Sequence, residues 1–408
     1  MFYRLKRSVA GLVTIAAAAP LVSGCPHDPV HPACRVEPYE VTVPHQAQPS
    51  ATPLMLLSSA RLDAVGDAFV LLGTDGDNVR WARLSTDGMV VGDEQSIAVP
   101  AHALGPWFAV AGTAAAADHL VIGFVPPQGS TATGDLNLMT FSVGIDNMGP
   151  TLPISSGPIG PPSQITMSSQ VTMMSGRGGM NAGIAWAGTG HTTISARIVR
   201  GDGVPIVSDL NLGSVDLVGC MRFSPGKGDL TLGYVDRSGS PPGAIFVGTE
   251  LDASGKAGTP FKLNIGEESP GCVELVPTIS GYGVAWHSEG IGTYFSAFNP
   301  ASAQLPSFEV LSDVEVREAP ALGGLGWLGT HYAVLFVHGG NSAEVWPIDA
   351  MGRSQGALPP FPSAAGHLGQ VSAQPVGSAL YATYADYASR EPGDESAGER
   401  LLVKVSCP

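Results

Sequence analysis

Tyr282-Gly-Val-Ala-Trp286, a polar connection, then Thr293-Tyr-Phe-Ser-Ala-Phe298: the fold is read from this stretch. A short apolar run ending in a large residue, followed across a turn by a second run rich in aromatic and β-branched residues, describes two strands of a hairpin. The first run recurs as Ala68-Phe-Val-Leu-Leu72, His119-Leu-Val-Ile-Gly-Phe124, Gly183-Ile-Ala-Trp186, Leu230-Thr-Leu-Gly-Tyr234, Tyr332-Ala-Val-Leu-Phe336 and Leu380-Tyr-Ala-Thr-Tyr384. The end positions 72, 124, 186, 234, 286, 336 and 384 are separated by 52, 62, 48, 52, 50 and 48 residues. The second run recurs with it, as at Val79–Leu84, Leu136–Phe141, Thr193–Ile198, Ala244–Val247, Ala343–Trp346 and Leu401–Val405.

After the second run come turns rich in Asp and Gly, namely Asp87-Gly88, Asp202-Gly203, Asp252-Ala-Ser-Gly255 and Asp349-Ala-Met-Gly352. These residues supply the positive φ of tight hairpins. A weaker outer strand follows, as at Phe308–Leu311, and another apolar segment opens the next unit, as at Val218–Phe223. Four strands per unit of about 50 residues is the signature of propeller blades. The expected fold is therefore all-β, a seven-bladed β-propeller of four-stranded blades; a pair of β-sandwiches or a solenoid is the alternative. The large strand-ending residues Trp186, Tyr234, Trp286, Phe336 and Tyr384 recur with the unit, which makes them blade-packing residues.

The two ends suggest how the ring closes. The last unit stops after its third strand, at Cys407-Pro408, and an orphan strand, Tyr39–Val43, precedes the first. Paired with the last strand, it would cover both open edges. That pairing brings Cys34 near Cys407. Cys220 and Cys272 are 52 residues apart, one unit, on the opening strands of adjacent blades. Four cysteines allow three pairings; the positions favour Cys34–Cys407 and Cys220–Cys272.

The N-terminus carries Arg4, Lys6 and Arg7 ahead of an apolar run from Val9 to about Val22. The run is shorter than the roughly 20 residues a membrane span needs, and has the layout of an export signal. Leu21-Val22-Ser23-Gly24-Cys25 resembles the lipobox of bacterial lipoproteins. The resemblance implies cleavage after Gly24, diacylglycerol on Cys25 and acylation, such as palmitate, of the new amino group. Pro26 in place of aspartate points by the family's rule to the outer membrane. Two or three acyl chains, at about 0.8 kcal/mol per buried methylene, hold firmly where one does not. The whole pattern resembles the propeller lipoproteins of bacteria with large genomes, a likeness of architecture that names no activity. The expected organisation is a signal peptide at 1–24, a lipid-anchored tether at 25–38 and the propeller at 39–408.

The chain is acidic, with a formal charge of −15; loss of the three signal-peptide cations takes it to −18. An acidic, Lys-poor surface argues against nucleic acid and against charge-driven binding to anionic lipid. Gly (53) and Pro (34) are abundant, as many short strands and turns require. Two long connections, 150–169 and 386–399, are candidates for partner contact.

Catalytic motifs do not find their context. Gly352-Arg-Ser354-Gln-Gly356 fits G-x-S-x-G, but it falls on a hairpin turn, whereas the hydrolase elbow needs a strand before it and a helix after. Gly324-Leu-Gly-Trp-Leu-Gly329 fits G-x-G-x-x-G without a following helix. Arg200-Gly-Asp202 is turn chemistry, and Asp75-Gly-Asp-Asn78 lacks the further ligands of a calcium loop. No H-E-x-x-H or C-x-x-C metal motif occurs, and His287, just beyond Trp286, is read as a structural histidine. No cofactor, metal or catalytic residue is expected. Arg222 and Glu274 are expected in the channel, since they lie on opening strands. The leading expectation is a non-enzymatic binding or scaffolding protein of the cell envelope, whose partner beyond the membrane is an envelope protein or glycan. The alternative is a glycan- or peptide-processing enzyme with its active site at the channel mouth.

Overall fold

The computed structural model describes residues 34–41, 60–65, 68–75, 78–98, 104–111, 119–125, 137–142, 152–153, 171–176, 181–187, 193–201, 204–206, 210–238, 244–266, 270–288, 292–299, 308–312, 321–338, 342–363, 368–387 and 398–407. The signal and lipobox segment, with Cys25, lies outside them.

Every regular element described is a strand. The N-terminal strand is β1 (Arg35–Val41). A first sheet follows in chain order, from β2 (Arg61–Val65) through β3 (Ala68–Asp75) and β4 (Asn78–Leu84) to β5 (Val90–Ala98). The second runs through β6 (Leu104–Ala111), β7 (His119–Val125), β8 (Asn137–Ser142) and β9 (Leu152–Pro153). The third holds β10 (Val171–Ser175), β11 (Asn181–Ala187), β12 (Thr193–Arg200) and β13 (Leu210–Ser214). The fourth holds β14 (Leu217–Pro225), β15 (Leu230–Asp236), β16 (Ala244–Leu251) and β17 (Phe261–Gly266). The fifth holds β18 (Pro270–Pro277), β19 (Tyr282–Ser288), β20 (Gly292–Phe298) and β21 (Phe308–Ser312). The sixth has β22 (Ala321–Trp327), β23 (His331–His338) and β24 (Ser342–Asp349). The last joins β25 (Leu368–Val376), β26 (Ala379–Tyr387) and β27 (Gly398–Ser406) to β1. All pairings within the sheets are antiparallel. The opening strands β2, β6, β10, β14, β18, β22 and β25 each touch the next, and β25 returns to β2. This is an all-β propeller.

The apolar cores lie between sheets rather than within one centre. One cluster joins Val70, Leu72 and Trp81 of the first sheet to Phe108 and Ile122 of the second; another joins Trp107 and Val121 to Ile184 and Trp186. The pattern repeats around the molecule to Phe69 and Tyr381, which join the first sheet to the last with ring centroids 4.8 Å apart. Burial at about 25 cal/mol per Å2 of apolar area makes each such seam a main source of stability. The strand-ending residues Trp186, Tyr234, Trp286, Phe336 and Tyr384 are all buried in these seams. Close approach demands glycine in places: a Cβ on Gly183 would stand 2.5 Å from Leu230 Cδ1, and one on Gly283 2.5 Å from Tyr332 Cε1.

Asp-Gly turns form as expected. Gly88, Gly255 and Gly352 have φ of 75°, 78° and 84°. Asp252 Oδ1 accepts from the backbone N–H of Ser254 and Lys256, and Asp349 Oδ1 from Met351 and Arg353. The Ser254 hydroxyl, which also donates to Oδ1, and then the backbone bonds hold the Asp252 carboxyl below the usual carboxylate range; for Asp349 burial opposes, and the backbone and side-chain bonds from Arg353 outweigh it.

Two places depart from expectation. Six sheets have four strands; the sixth has three among the described residues, so seven four-stranded blades are not matched. Its fourth position is filled by an irregular segment in which the N–H groups of Gln355, Leu358 and Phe361 donate to the carbonyls of Pro347, Val345 and Ala343. The segment advances three residues for each two of β24, and Pro359, Pro360 and Pro362 have no N–H to give a regular ladder. Leu358 and Phe361 are buried beneath it. The closing strand also starts earlier than Tyr39. It pairs Arg35 with Ser406 through Val41 with Arg400, so residues 35–38 of the expected tether are strand. Cys34 and Cys407 are joined by a disulfide, with Cα atoms 4.0 Å apart across 373 residues of sequence. Cys220 and Cys272 lie on β14 and β18, and their side chains fall outside the described residues.

Candidate functional site: the central channel

The opening strands enclose two cavities that share Asp63, Met174 and Gln374 as walls. The inner one, about 410 Å3, is lined by Arg61, Asp63, Arg222, Glu274 and Ser372 among others. The outer one, about 700 Å3, forms a mouth where β2, β10, β14, β18, β22 and β25 end, with Lys227, Thr278, Ile279 and Trp327 on its walls.

The repeat explains which residues reach the channel. Met174, Arg222, Glu274 and Ser372 each stand 12 residues before the large strand-ending residue of their unit (186 − 174, 234 − 222, 286 − 274, 384 − 372), and Arg61 stands 11 before Leu72. Each lies on an opening strand, and each lines the inner cavity.

Arg222 and Glu274, expected in the channel from sequence, are brought together: Nη1 and Oε1 are 2.9 Å apart, with the Arg222 side chain 46% exposed and that of Glu274 16%. Burial raises the Glu274 carboxyl, and Arg222 partly offsets the rise. Arg61 and Asp63 were not anticipated, because Arg61-Leu62-Asp63 alternates like a solvent-facing strand. Asp63 is buried and binds three opening strands together. It accepts from Ser175 Oγ on β10 at 3.2 Å and from the backbone N–H of Val110 on β6; Ser175 Oγ itself accepts from Val110 N at 2.9 Å. Desolvation pushes its pKa up to about 6, against the pull of Arg61 and these hydrogen bonds. Arg61 lies with its guanidinium carbon 4.0 Å from the centre of the Phe108 ring. Its Nε is buried with no hydrogen-bond partner among the described residues. Burial lowers its pKa, Asp63 opposes the fall, and Arg222 adds a little to it.

Similar hydrogen bonds tie other sheets. Leu62 N donates to Ser372 Oγ at 3.0 Å, Asn181 Nδ2 donates to Asp229 Oδ2 at 3.4 Å, and Ser224 Oγ donates to the Leu275 carbonyl.

Of the remaining sequence motifs among the described residues, only Gly324–Gly329 reaches the channel, through Trp327 and Gly329 on the wall of the mouth. Ser354 forms a bridge to Ile348 on an exposed turn and accepts from Gly356 N, with no helix after it. Gly324–Gly329 runs along β22 into a turn to β23. His287 bonds Thr293 Oγ1 across β19 and β20 at 3.0 Å. Asp75 pairs with Asn78 across a hairpin. Asp202, most of 150–169 and most of 386–399 lie outside the described residues. Cys34, His331 and Cys407 cluster within 4.8 Å, but the two sulfurs are bonded to each other.

No known family matches the chain, and no curated protein matches it in sequence. Solved structures do resemble it. The polysaccharide lyase Uly1 aligns with a TM-score of 0.53 at 9% identity, over 90% of this chain and 92% of the lyase. A protein of the Mitotic Checkpoint Complex aligns with a TM-score of 0.47 at 12% identity, over 99% of both chains. An alpha-L-arabinofuranosidase from Fusarium graminearum aligns with a TM-score of 0.42 at 11% identity, over 74% of this chain and 92% of that one. At these identities the likeness is one of fold.

Proposed function

We propose that this chain is a lipid-anchored envelope protein that works by binding, and that its central channel takes the ligand. One observation carries the reading. Both carboxyl groups of the inner cavity are already engaged, Glu274 by Arg222 and Asp63 by Ser175 and Val110, whereas the guanidinium groups keep donors to spare. Carboxyls held in this way are less available as acid–base groups. Binding needs donors.

The wider reading follows from the same sequence logic. The sixth sheet counts as a blade whose fourth place is filled irregularly, giving seven blades around the channel. Cys25 carries the acyl anchor, in the outer membrane, and the partner is an envelope protein or glycan. Cys220 and Cys272, one unit apart on neighbouring opening strands, form the second disulfide. Mass spectrometry of the native protein tests the anchor and both disulfides: acylated Cys25 at the N-terminus is expected, and Cys34 linked to Cys220 or Cys272 would refute the arrangement.

The alternative, an envelope glycan- or peptide-processing enzyme, is favoured by one feature: Asp63 with a pKa of about 6 in a shared cavity with Glu274. The deciding experiment incubates the full-length, detergent-extracted protein with fractions of its own envelope. Retention of a component recovered chemically unchanged supports binding. Product formation that disappears in Asp63→Asn or Glu274→Gln selects the enzyme.

A further inference from the structure

Resting on the binding reading, we infer that the channel takes an oxyanion-bearing ligand, a carboxylate or a phosphate head carried on a sugar-sized body, with Arg222 and Arg61 holding the head in the inner cavity and the mouth holding the body.

The charge balance of the channel differs from that of the chain. The walls of the two cavities hold Arg61, Arg222 and Lys227 against Asp63 and Glu274, three cations to two carboxyl groups, within a chain of formal charge −15. A cationic spot in an acidic protein draws an anion inward, and low-dielectric walls concentrate the field. Donor capacity points the same way. Arg222 spends Nη1 on Glu274, and its side chain, which lines the cavity, is nearly half exposed. Arg61 holds a buried Nε–H with nothing to accept it among the described residues. An orphaned buried donor costs about 1–3 kcal/mol, and an oxyanion reaching it would recover that loss. A planar guanidinium offers two parallel donors, and carboxylates and phosphates match that fork.

The mouth suits a body with apolar faces. Trp327 is half-buried on its wall, packed 4.6 Å from the Tyr332 ring, and Ile279 is 94% exposed beside it. Val276, Pro277 and Pro375 extend the same wall, and Gln374, shared with the inner cavity, adds amide hydrogen-bonding capacity at the boundary. A volume of about 700 Å3 falls in the range of small-ligand sites.

Calorimetric titration of the full-length protein in detergent tests this, with four probes: a uronic-acid disaccharide, its neutral counterpart, a sugar phosphate and inorganic phosphate. An acidic sugar or a phosphate should bind at least about tenfold more tightly than the neutral disaccharide, as loss of a charge-assisted hydrogen bond implies. Preference between the first and third probes identifies which head is read. Affinity should fall with added salt. Arg222→Gln should lower affinity for the anionic probe about tenfold, Arg222→Lys should lower it less, and Trp327→Ala should weaken every sugar probe without changing the preference for charge. Arg222 is the variant of choice because its exposed side chain can change without emptying a core, and an unchanged melting temperature verifies the fold. Equal binding of neutral and acidic disaccharides overturns the charge assignment while leaving the binding reading intact. No binding of any probe, by a protein that still retains an envelope component, overturns the inference and places that component elsewhere. An Arg222→Gln variant with unchanged affinity overturns the role given to the fork.

Discussion

The sixth and last sheets solve one problem in two ways. Each has three consecutive strands of its own and needs something at the outer edge. The last sheet takes β1 from the other end of the chain, in a ladder from Arg35 to Val41, and bolts it with the Cys34–Cys407 disulfide. The sixth takes a proline-broken segment bonded at every third residue and pinned by Leu358 and Phe361. The outer position therefore needs cover for backbone and core, and regular strand geometry is optional. The covalent bond appears where the cover comes from far away in sequence, so that its loss would open the ring.

That contrast has consequences of different size. Cys34→Ser should be the most damaging change: on the chain-entropy account a closed loop of 373 residues stabilises by up to about 6 kcal/mol. Thermal unfolding with and without reductant measures it, and a wild-type melting temperature indifferent to reductant would remove the distinction between the two edges. Phe361→Ala should come next, costing about 3–5 kcal/mol through lost burial and the cavity left behind. If chemical denaturation shows less than about 1 kcal/mol, the irregular edge is decoration rather than cover.

Asp63→Asn probes a third kind of junction, a carboxyl shared by β2, β6 and β10. Its folded pKa of about 6 exceeds the ordinary 3.8, so the folded state holds this proton more tightly than the unfolded one. The contribution to stability is fully present below pH 3.8 and is lost as pH rises through about 6, roughly 3 kcal/mol at about 1.4 kcal/mol per pKa unit. Stability measured across that interval should lose this fall in the asparagine variant; an unaltered slope would show that Asp63 does not cause it. Ser354→Ala, on the exposed turn entering the sixth sheet's irregular edge, should change stability by no more than about 0.5 kcal/mol. A larger loss would mean that the turn itself organises the edge.

What the sequence discloses follows from what repeats. Trp186, Tyr234 and Trp286 recur because every seam needs the same filling, so the period exposes the strands that carry them. The closing strand is legible too, since the last unit lacks a fourth strand and a β-rich segment stands before the first. The channel is harder. Arg222 and Glu274 could be placed through their strands, but Arg61 and Asp63 hide in an alternating segment indistinguishable by pattern from a solvated edge. Only alignment of positions 11 or 12 before each large residue exposes Arg61. The sixth edge misleads for the opposite reason: period suggests a strand, and Pro359, Pro360 and Pro362 remove the donors that would make one.

The Cys34–Cys407 bond also changes the kind of object the chain is. From Cys34 to Cys407 the polypeptide is a covalent circle. A single protease cut in any connection between sheets leaves one molecule whose new ends are still held by the seams on either side. Such a protein should survive nicking that would unravel a linear chain, and it offers new termini at its hairpins, for instance between Asp75 and Asn78, where a permuted chain could begin without disturbing a seam.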